Sequence, residues 1–262
     1  MEYGTGCSGV GGLDLGLERA GMECRFQIEN EPFCIRILEK RWPNVLRRVD
    51  VRDCGAHNLP WVNLFGFGFP CTDLSAALNG SHKGLAGEYS GIFYECARIA
   101  RELRPDWVLI ENVTRVKKYM AEIAAELPHW DLEYADLTAS DFGAYTRRVR
   151  TFIVGHPRDR RTRPILDKAS IPSASFSTGG AKDVLPMCLP WKGGVSLERL
   201  GSCLAAETDP AGIRAGDGVS GRLDRPRYLA LGNAVAVPVA EWLGRRILAA
   251  AQAMPAVRVE AE

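Results

Sequence analysis

Apolar positions recur along the chain with two spacings, one typical of buried strands and one typical of amphipathic helices. Trp107–Ile110 is a continuous apolar run, as the strands of a parallel sheet require. Between Ile92 and Leu103 the apolar residues instead recur every three or four positions, which predicts a helix. Gly21 is placed to end the first helix and Pro32 to open the second. The pattern predicts strands that alternate with helices.

The predicted elements follow one another in the order of an α/β protein. One strand ends at Cys7, and further strands are expected at Phe26–Glu29, Val49–Arg52, Trp61–Phe67, Trp107–Ile110, Leu132–Leu137 and Thr151–Val154. Helices are expected at 13–20, Pro32–Arg41, Ile92–Leu103, Val116–Leu127 and Ala234–Ala251, the last interrupted early by Pro238. This alternation predicts an α/β doubly wound sheet.

The predicted domain organisation is one main domain with one small insert. Between residues 157 and 221 the periodicity is lost and Gly, Pro and Ser become frequent, which predicts a loop-rich insert. Residues 1–156 and 222–262 then form the main domain. A chain of 262 residues is long enough for a full core with such an appendage.

Composition narrows the class of protein. No apolar run approaches the roughly 18 residues of a membrane helix, and no signal peptide pattern opens the sequence. The eight cysteines include no Cys-x-x-Cys pair, which argues against a zinc site or a disulfide framework and for a reducing compartment. We therefore expect a cytoplasmic protein with neither a membrane segment nor a metal.

The distribution of charge, rather than its total, indicates a nucleic-acid partner. The net charge is only +1. However, eight basic residues lie between positions 147 and 168: Arg147, Arg148, Arg150, Arg158, Arg160, Arg161, Arg163 and Lys168. Only Asp159 and Asp167 oppose them there. Such a cluster is often a solvated face, and it is also the footprint that a phosphate backbone requires.

Gly68–Cys71, with Ser75 four residues beyond it, is the most informative stretch of the chain. It directly follows an apolar run that is typical of a buried strand, so Cys71 is expected in a turn that Pro70 holds rigid. A cysteine so placed can react as a thiolate. Taken alone, a buried structural cysteine is the commoner interpretation, and the other motifs decide between the two.

A glycine turn and two acids predict a nucleoside site. The turn Gly9-x-Gly11-Gly12 follows the first strand and would present backbone N–H groups and a helix N-terminus to a ligand. Glu29 ends the second strand, where a carboxylate can accept both hydroxyls of a ribose. Asp50 is a further acid, at the end of the linker that leads to the expected third strand. Each feature alone is equally typical of tight packing or of a solvated acid, and jointly they favour the site.

Two further motifs carry charge or amide groups. Glu111 ends an apolar strand, where a carboxyl group with a raised pKa can act as a general acid. Arg148 and Arg150 share one face of an extended segment and can together bind a carboxylate, a base carbonyl or a phosphate. Asn233 precedes the last helix and could be only its N-cap.

With these motifs the chain resembles the DNA (cytosine-5) methyltransferase family over almost its full length. The motifs occur in the family's order: glycine turn, ribose acid, adenine acid, Pro-Cys, Glu-Asn-Val, Arg-x-Arg and Gly-Asn-Ala-Val. The chain is especially similar to short phage and prophage members through 84–91 and through the tail 225–246. Two places depart from the pattern: Thr72 replaces a common glutamine, and Tyr145-Thr146 replaces the usual Pro-Gln.

The resemblance implies a Rossmann-like S-adenosylmethionine-dependent methyltransferase fold with a mixed sheet and a small target-recognition insert. It implies Cys71, Glu111, Arg148 and Arg150 as catalytic residues and S-adenosylmethionine as donor, with S-adenosylhomocysteine as product. The residues that it assigns to the donor are Cys7, Ser8, Gly9, Gly11, Gly12, Leu13, Glu29, Asn30, Asp50, Val51, Pro70, Asn233, Ala234 and Val235. Together with the basic cluster, it predicts DNA contacts by Ser75, Arg158, Arg160, Arg161 and Arg163.

The implied reaction is methylation of C5 of a cytosine flipped out of double-stranded DNA, through an adduct between Cys71 and C6. We expect a monomer, with a cognate restriction endonuclease as a partner to be tested. Two alternatives stay open. One is a tRNA cytosine-5 methyltransferase, which usually carries Pro-Pro-Cys where this chain has Phe69-Pro70-Cys71. The other is a catalytically silent DNA-binding homologue.

Overall fold

A mixed sheet lies at the centre of the computed structural model, which describes residues 1–70, 85, 87, 91–144, 147–158, 164–167, 170–172 and 232–253. The strands are β1 (Glu2–Gly6), β2 (Glu23–Ile28), β3 (Leu46–Arg48), β4 (Leu64–Phe67), β5 (Trp107–Asn112), β6 (Trp130–Thr138) and β7 (Val149–Pro157). The α-helices are α1 (Gly12–Arg19), α2 (Pro32–Arg41), α3 (Ile92–Leu103), α4 (Met120–Glu126) and α5 (Val237–Ala253). Short 3-10 helices occupy Val51–Asp53, Thr114–Tyr119 and Ala139–Phe142.

The direction of the strands decides which residues meet. The strand order is β3-β2-β1-β4-β5-β7-β6, and β1 to β5 pair in parallel. By contrast, β7 runs antiparallel to both of its neighbours: Asn112 pairs with Thr151, and Val108 pairs with Gly155. The start of β7 therefore lies at the carboxyl edge of the parallel strands, and its end lies at their amino edge.

Two apolar cores cover the faces of the sheet. One core packs α3 and α4 against it, and the other packs α1 and α5. All six residues of β5 are buried, as expected for a strand covered on both faces. The close contact between α1 and α5 depends on Gly16, because a Cβ at that position would lie 2.3 Å from the Cβ of Ala240. The predicted α/β doubly wound class is confirmed, with layers on both sides of the sheet.

The third strand lies earlier than predicted. Val49–Arg52 was the expected segment, but β3 ends at Arg48 and Val51–Asp53 forms a 3-10 turn. Asp50 explains the difference: its side chain accepts a hydrogen bond from the N–H of Arg52 at 2.9 Å and so caps the turn. Asp50 therefore follows the third strand instead of ending the linker that leads into it.

Two predicted helices also begin elsewhere. The segment expected to be helical from Val116 opens as the 3-10 helix Thr114–Tyr119 and becomes α-helical only at Met120. The last helix begins at Val237, so Pro238 lies in its first turn, where the missing N–H would have no helical partner in any case. Pro238 therefore belongs to the start of α5 and does not interrupt it. Asn233 is not its N-cap.

Most of the predicted insert at 157–221 lies outside the described residues. Ile165 and Leu166, near its start, are buried in the core that α5 shares with the sheet. Glu133 accepts hydrogen bonds from the N–H groups of both residues, at 2.6 and 3.0 Å. Arg246 donates to the carbonyl of Ile165. This short stretch is thus clamped to the main domain. Among the described residues, no helix is both long and apolar enough to span a membrane.

Candidate active site

The glycine turn after β1 combines unusual backbone angles with open space. Cys7, Gly9 and Gly11 have φ values of 52°, 58° and 82°. A Cβ at Gly11 would lie 2.4 Å from the ring of Trp42, whereas a Cβ at Gly9 would meet no atom within 4 Å. Gly11 is therefore required for packing, and Gly9 leaves room for a ligand to approach the backbone.

Glu29 follows β2 and holds this turn. Its carboxylate accepts hydrogen bonds from the N–H of Gly9 at 2.6 Å and from the N–H of Glu31 at 2.8 Å. Glu29 is buried, while the neighbouring Asn30 is exposed. Asp50 lies two residues beyond the end of β3, which is the next strand of the sheet. The predicted grouping of the turn and the two acids at the ends of three adjacent strands is therefore what the structure contains.

Beneath the glycine turn lies a polar network that was not predicted from the sequence. Asp14, in the first turn of α1, accepts hydrogen bonds at 2.9 Å from both Thr5 Oγ1 and Gln27 Nε2. Thr5 Oγ1 lies 2.7 Å from Ser8 Oγ, inside the glycine turn. Burial raises the pKa of Asp14 to about 6, and the hydrogen bonds from Gln27 and Thr5 oppose that shift. An acid in the buried face of a predicted helix was the available signal.

Arg98 is a second missed residue, and it fixes the segment after Asp50. From α3 it donates hydrogen bonds to the carbonyls of Cys54, Val51 and Arg52, at 3.0, 3.2 and 3.4 Å. These contacts join residues more than forty positions apart, so no local pattern could have indicated them. Arg98 thereby ties α3 to the 3-10 turn that carries Val51.

The segment before α5, which includes Asn233, Ala234 and Val235, packs against the glycine turn. A Cβ at Gly12 would lie 2.4 Å from the carbonyl oxygen of Val235, so only glycine allows this close approach. Ala234 and Val235 are buried, whereas Asn233 is exposed. Leu13 is buried beneath the turn. The structure thus brings the predicted C-terminal motif against the glycine turn.

Glu111 lies between two arginines at the carboxyl edge of the sheet. Its Oε1 is 3.1 Å from Arg150 Nε and 3.8 Å from Arg148 Nη2. Burial raises the pKa of Glu111, and the two guanidinium groups oppose that shift without cancelling it. Within the described part of the chain, Oε1 accepts no hydrogen bond of good geometry. The predicted trio is therefore assembled around a buried carboxyl group with unused acceptor or donor capacity.

The two arginines differ in what they can reach. The Arg148 side chain is buried, with 6% of its surface exposed, and its Nη1 donates to the carbonyl of Gly232. The Arg150 side chain is 24% exposed. A bound molecule could therefore contact Arg150 directly, whereas Arg148 is enclosed between Glu111 and the segment before α5.

Asn112 fixes the segment that leads to Cys71. Its Nδ2 donates to the carbonyl of Phe69 at 2.9 Å, and its Oδ1 accepts from the N–H of Val113 at 2.8 Å. A Cβ at Gly68 would lie 3.2 Å from Glu111 Oε2. Gly68–Pro70 is therefore held against the carboxyl group. The next residue in the chain is Cys71, which lies outside the described residues, as do Ser75, Arg160, Arg161 and Arg163.

Arg158 is separated from every other predicted site residue that the structure describes. It follows the end of β7, at the amino edge of the sheet, where its Nε lies 3.1 Å from Asp131 Oδ1. Arg150 lies near the opposite end of the same strand. The sequence placed both arginines in one basic cluster because the direction of β7 could not be read from it.

The residues at the ends of β1, β2 and β3 fit a nucleoside donor. They offer open space over Gly9, a nearly buried carboxylate at Glu29 and a partly exposed carboxylate at Asp50. These groups could accept from the hydroxyls of a ribose and from an exocyclic amine. Among the described residues, no cluster of His, Cys, Asp and Glu has the arrangement of a metal site.

Comparison with known proteins agrees with this geometry. A family model described as C-5 cytosine-specific DNA methylase matches residues 7–185. The chain is 31% identical over 160 residues to the type II methyltransferase M2.BsuMI of Bacillus subtilis, a match that covers 56% of this chain and 40% of that protein. It is 33% identical over 159 residues to the type II methyltransferase M.FnuDI of Fusobacterium nucleatum, with 58% and 46% covered. The chain thus spans about half the length of the curated relatives it matches.

A solved structure extends the likeness to nearly the whole chain. It is a DNA modification methyltransferase encoded within a prophage of E. coli, with a TM-score of 0.66 and 17% sequence identity. The superposition covers 96% of this chain and 99% of that one. At this level of identity the likeness establishes the fold.

Proposed function

We propose that this chain, which belongs to the C-5 cytosine-specific DNA methylase family, transfers a methyl group from S-adenosylmethionine to C5 of a cytosine in DNA. The observation that carries the proposal is the group formed by the buried Glu111 and Arg148 with the partly exposed Arg150, packed beside the segment that leads into Cys71. This arrangement supplies an acid and a cation to a flat, polar ring. The proposal further requires that the thiol of Cys71, the residue after Pro70 in the sequence, reaches that ring.

The chemistry of cytosine requires such a group because C5 is too weak a nucleophile to be methylated directly. In the proposed reaction the thiolate of Cys71 adds to C6, and the electron pair of the C5–C6 bond becomes available at C5. When C5 has gained the methyl group, a base or a water molecule removes the C5 proton. The electron pair of that C–H bond restores the double bond, and Cys71 leaves as a thiolate.

Glu111 and Arg150 would stabilise the charge that enters the ring. A carboxyl group with a raised pKa keeps its proton more readily, so Glu111 can donate a hydrogen bond to N3 as thiolate addition makes N3 more basic. Arg150 is partly exposed and can donate to the O2 carbonyl. The target atoms lie inside the duplex, so the base must first be flipped out.

Arg148 has a different role in this proposal. It is buried and donates to the carbonyl of Gly232, so it orients Glu111 and the segment before α5 without touching the base. We therefore treat Arg148 as a positioning residue.

The donor would be held at the ends of β1, β2 and β3. S-adenosylmethionine supplies an electrophilic methyl group on a sulfonium when it is bound. Glu29 can accept from the ribose hydroxyls, and Asp50 from the adenine amine, while the open side of Gly9 admits the ligand to the backbone. Ser8, Leu13 and Val51 line the neighbouring positions.

The proposal assigns sequence readout to the insert at 157–221, with Ser75 contacting the DNA strand. It includes a cytoplasmic setting and a monomeric enzyme, and a companion restriction endonuclease is a further element to be tested. Expression in a methylation-deficient bacterium followed by methylome sequencing would identify the methylated site. Exchange of 157–221 with a similar short enzyme should move that site.

Transfer of radiolabelled methyl groups to duplex DNA and to total tRNA, measured side by side, tests the proposed function. We expect label in DNA at C5 of cytosine, no label in tRNA, and no label in either with Cys71→Ser. Label in tRNA alone would favour the RNA enzyme. No label with any substrate would favour a silent DNA-binding homologue.

A further inference from the structure

The duplex that presents the flipped base must approach the carboxyl edge of the sheet. Glu111 and Arg150 lie there, at the end of β5 and the start of β7. Arg158 lies eight residues further along β7, which at about 3.3 Å per residue places it about 26 Å from Arg150. The Debye length at physiological ionic strength is about 8 Å. The charge of Arg158 therefore contributes little at the edge where the base is bound.

Other basic residues occupy the carboxyl edge. Lys117 and Lys118 belong to the 3-10 helix Thr114–Tyr119, which follows β5 after one residue, and Arg147 lies two residues before the start of β7. All three side chains are exposed. The element order thus places three positive charges at the sheet edge that also carries the proposed base pocket, on segments that adjoin Glu111 and Arg150.

The position of Lys117 is fixed by a contact with the edge strand. Its Nζ pairs with Asp136 of β6, and Asp136 also accepts a hydrogen bond from Thr151 Oγ1 at 2.5 Å. In the pairing of β6 with β7, Asp136 lies opposite Thr151, and the next pair is Leu137 with Arg150. The backbone at Asp136 is therefore one residue pair away from the backbone at Arg150. Because side chains alternate along a strand, Lys117 and Arg150 lie at the same edge of the sheet but on opposite faces.

We propose that Lys117, Lys118 and Arg147, here called the basic ridge, bind the phosphate backbone of the DNA strand beside the target cytosine. This inference rests on the proposed function and deepens it. Lys117 exchanges Asp136 for a phosphate when DNA binds, and this exchange is easy because an exposed ion pair contributes little to stability. Asp141 of the 3-10 helix Ala139–Phe142 is a further acid near this edge. The three positive charges of the ridge still exceed the two negative charges of Asp136 and Asp141.

Arg158 is not a phosphate contact in this account. Arg158 and Lys117 each have a carboxylate partner, so pairing alone does not distinguish them. Their positions do, because phosphates next to a flipped nucleotide must lie near the pocket that receives it. The topology of β7 therefore decides between the two basic groups.

Removal of two charges at each edge tests the proposal. The ridge variant is Lys117→Gln with Lys118→Gln. The matched control is Arg25→Gln with Arg158→Gln, which also removes two exposed charges, paired with Glu2 and Asp131. Binding of a fluorescein-labelled duplex of mixed sequence is measured by anisotropy from 50 to 200 mM KCl. Each lost phosphate contact should reduce the slope of log K against log [KCl] by about 0.9.

We expect the ridge variant to bind about tenfold more weakly in 50 mM KCl, with a slope shallower by about 2. The control should bind like the wild type. Lys117→Arg with Lys118→Arg should restore both quantities, which guards against a folding defect. Asp136→Asn should tighten binding, because Lys117 is then released from its carboxylate.

A ridge variant with the wild-type slope would overturn the proposal, as would a control that loses as much slope as the ridge variant. Either result, in an enzyme that still methylates DNA, leaves the proposed function in place. A wild-type protein that neither binds nor methylates DNA would instead remove the proposed function itself.

Discussion

Two buried carboxyl groups, Asp14 and Glu111, lie in different halves of the sheet, and the protein surrounds them differently. Asp14, beneath the glycine turn, accepts hydrogen bonds from the neutral side chains of Thr5 and Gln27. Glu111, at the end of β5, lies between the guanidinium groups of Arg148 and Arg150. Burial raises the pKa of both acids.

The difference in surroundings distinguishes a structural role for Asp14 from a proposed chemical role for Glu111. Neutral donors hold a carboxyl group in place but do little to stabilise its negative charge. Asp14 therefore has a structural role beneath the proposed donor site. Two cations around Glu111 form a polar pocket of low dielectric, where the stabilisation of new charge is strongest. We call the glycine turn with Asp14, Glu29 and Asp50 the donor half, and Glu111 with its two arginines the base half. Changes in the donor half should therefore alter affinity and stability, whereas changes in the base half should alter turnover.

The largest expected effect is on turnover in the base half. Glu111→Gln and Arg150→Ala should each lower kcat by about 10²–10⁴-fold, because each removes a group that stabilises charge as the thiolate adds. The dissociation constant of S-adenosylmethionine should stay within about twofold of the wild-type value. Steady-state methyl transfer and calorimetry measure the two quantities. Full turnover in Glu111→Gln would remove the proposed acid.

The donor half should respond in affinity. Glu29→Ala should weaken binding of S-adenosylmethionine about ten- to a hundredfold, since a charge-assisted hydrogen bond contributes about 1.5–3 kcal/mol. The variant also releases the N–H groups of Gly9 and Glu31. DNA binding should be nearly unchanged. Glu23→Ala is the control, because Glu23 is exposed at the other end of β2. Unaltered donor affinity in Glu29→Ala would exclude this donor site.

Asp14 should affect stability in a pH-dependent way. Its pKa in the folded protein is raised from 3.8 to about 6, so folding favours the protonated form. The stability from this group is fully present below the unfolded pKa and is lost as pH rises through about 6. Asp14→Asn removes the penalty of a buried charge and should stabilise the protein by about 1–2 kcal/mol at pH 8 and by less at pH 5.

Urea unfolding at the two pH values measures this difference. Ser8→Ala provides a comparison, because it removes the hydroxyl at the far end of the same network without touching the carboxyl group. A stability difference between Asp14→Asn and wild type that does not change with pH would contradict the assignment of the raised pKa.

The smallest effect is expected at Arg98. Arg98→Gln should loosen the segment after Asp50 and raise the dissociation constant of the donor about threefold, as when the competent conformation falls to about a third of the population. The turnover number should not change, and Arg98→Lys should recover part of the affinity. Arg101→Gln is the matched control, since Arg101 lies on the same helix but contacts Glu126 of α4. Equal losses in both variants would indicate only a looser α3.

The sequence predicted the elements whose signals are local. Trp107–Ile110 was recognised from its apolar run, and the glycine turn, Glu29 and Glu111 were recognised because each follows a strand. The resemblance to the cytosine-5 methyltransferase family is confirmed by the matching family model. The roles of individual residues stay predictions.

The parts that the sequence missed depend on distant contacts. Asp14 and Arg98 were overlooked because their partners lie on other elements, and Arg158 was grouped with Arg150 because the antiparallel direction of β7 has no local signature. The third strand was misplaced for a local reason instead: a single hydrogen bond from Arg52 to Asp50, two residues apart, favours a helical turn over an extended segment.

The most direct test of the base half uses DNA in which 5-fluorocytosine replaces cytosine. Fluorine at C5 cannot be removed as the proton is, so the adduct between Cys71 and C6 cannot collapse once C5 carries the methyl group. The account predicts a covalent protein–DNA complex with the wild type in the presence of S-adenosylmethionine and none with Cys71→Ser. An equal yield with the serine variant, or methylation of ordinary DNA by a wild type that forms no adduct, would contradict it.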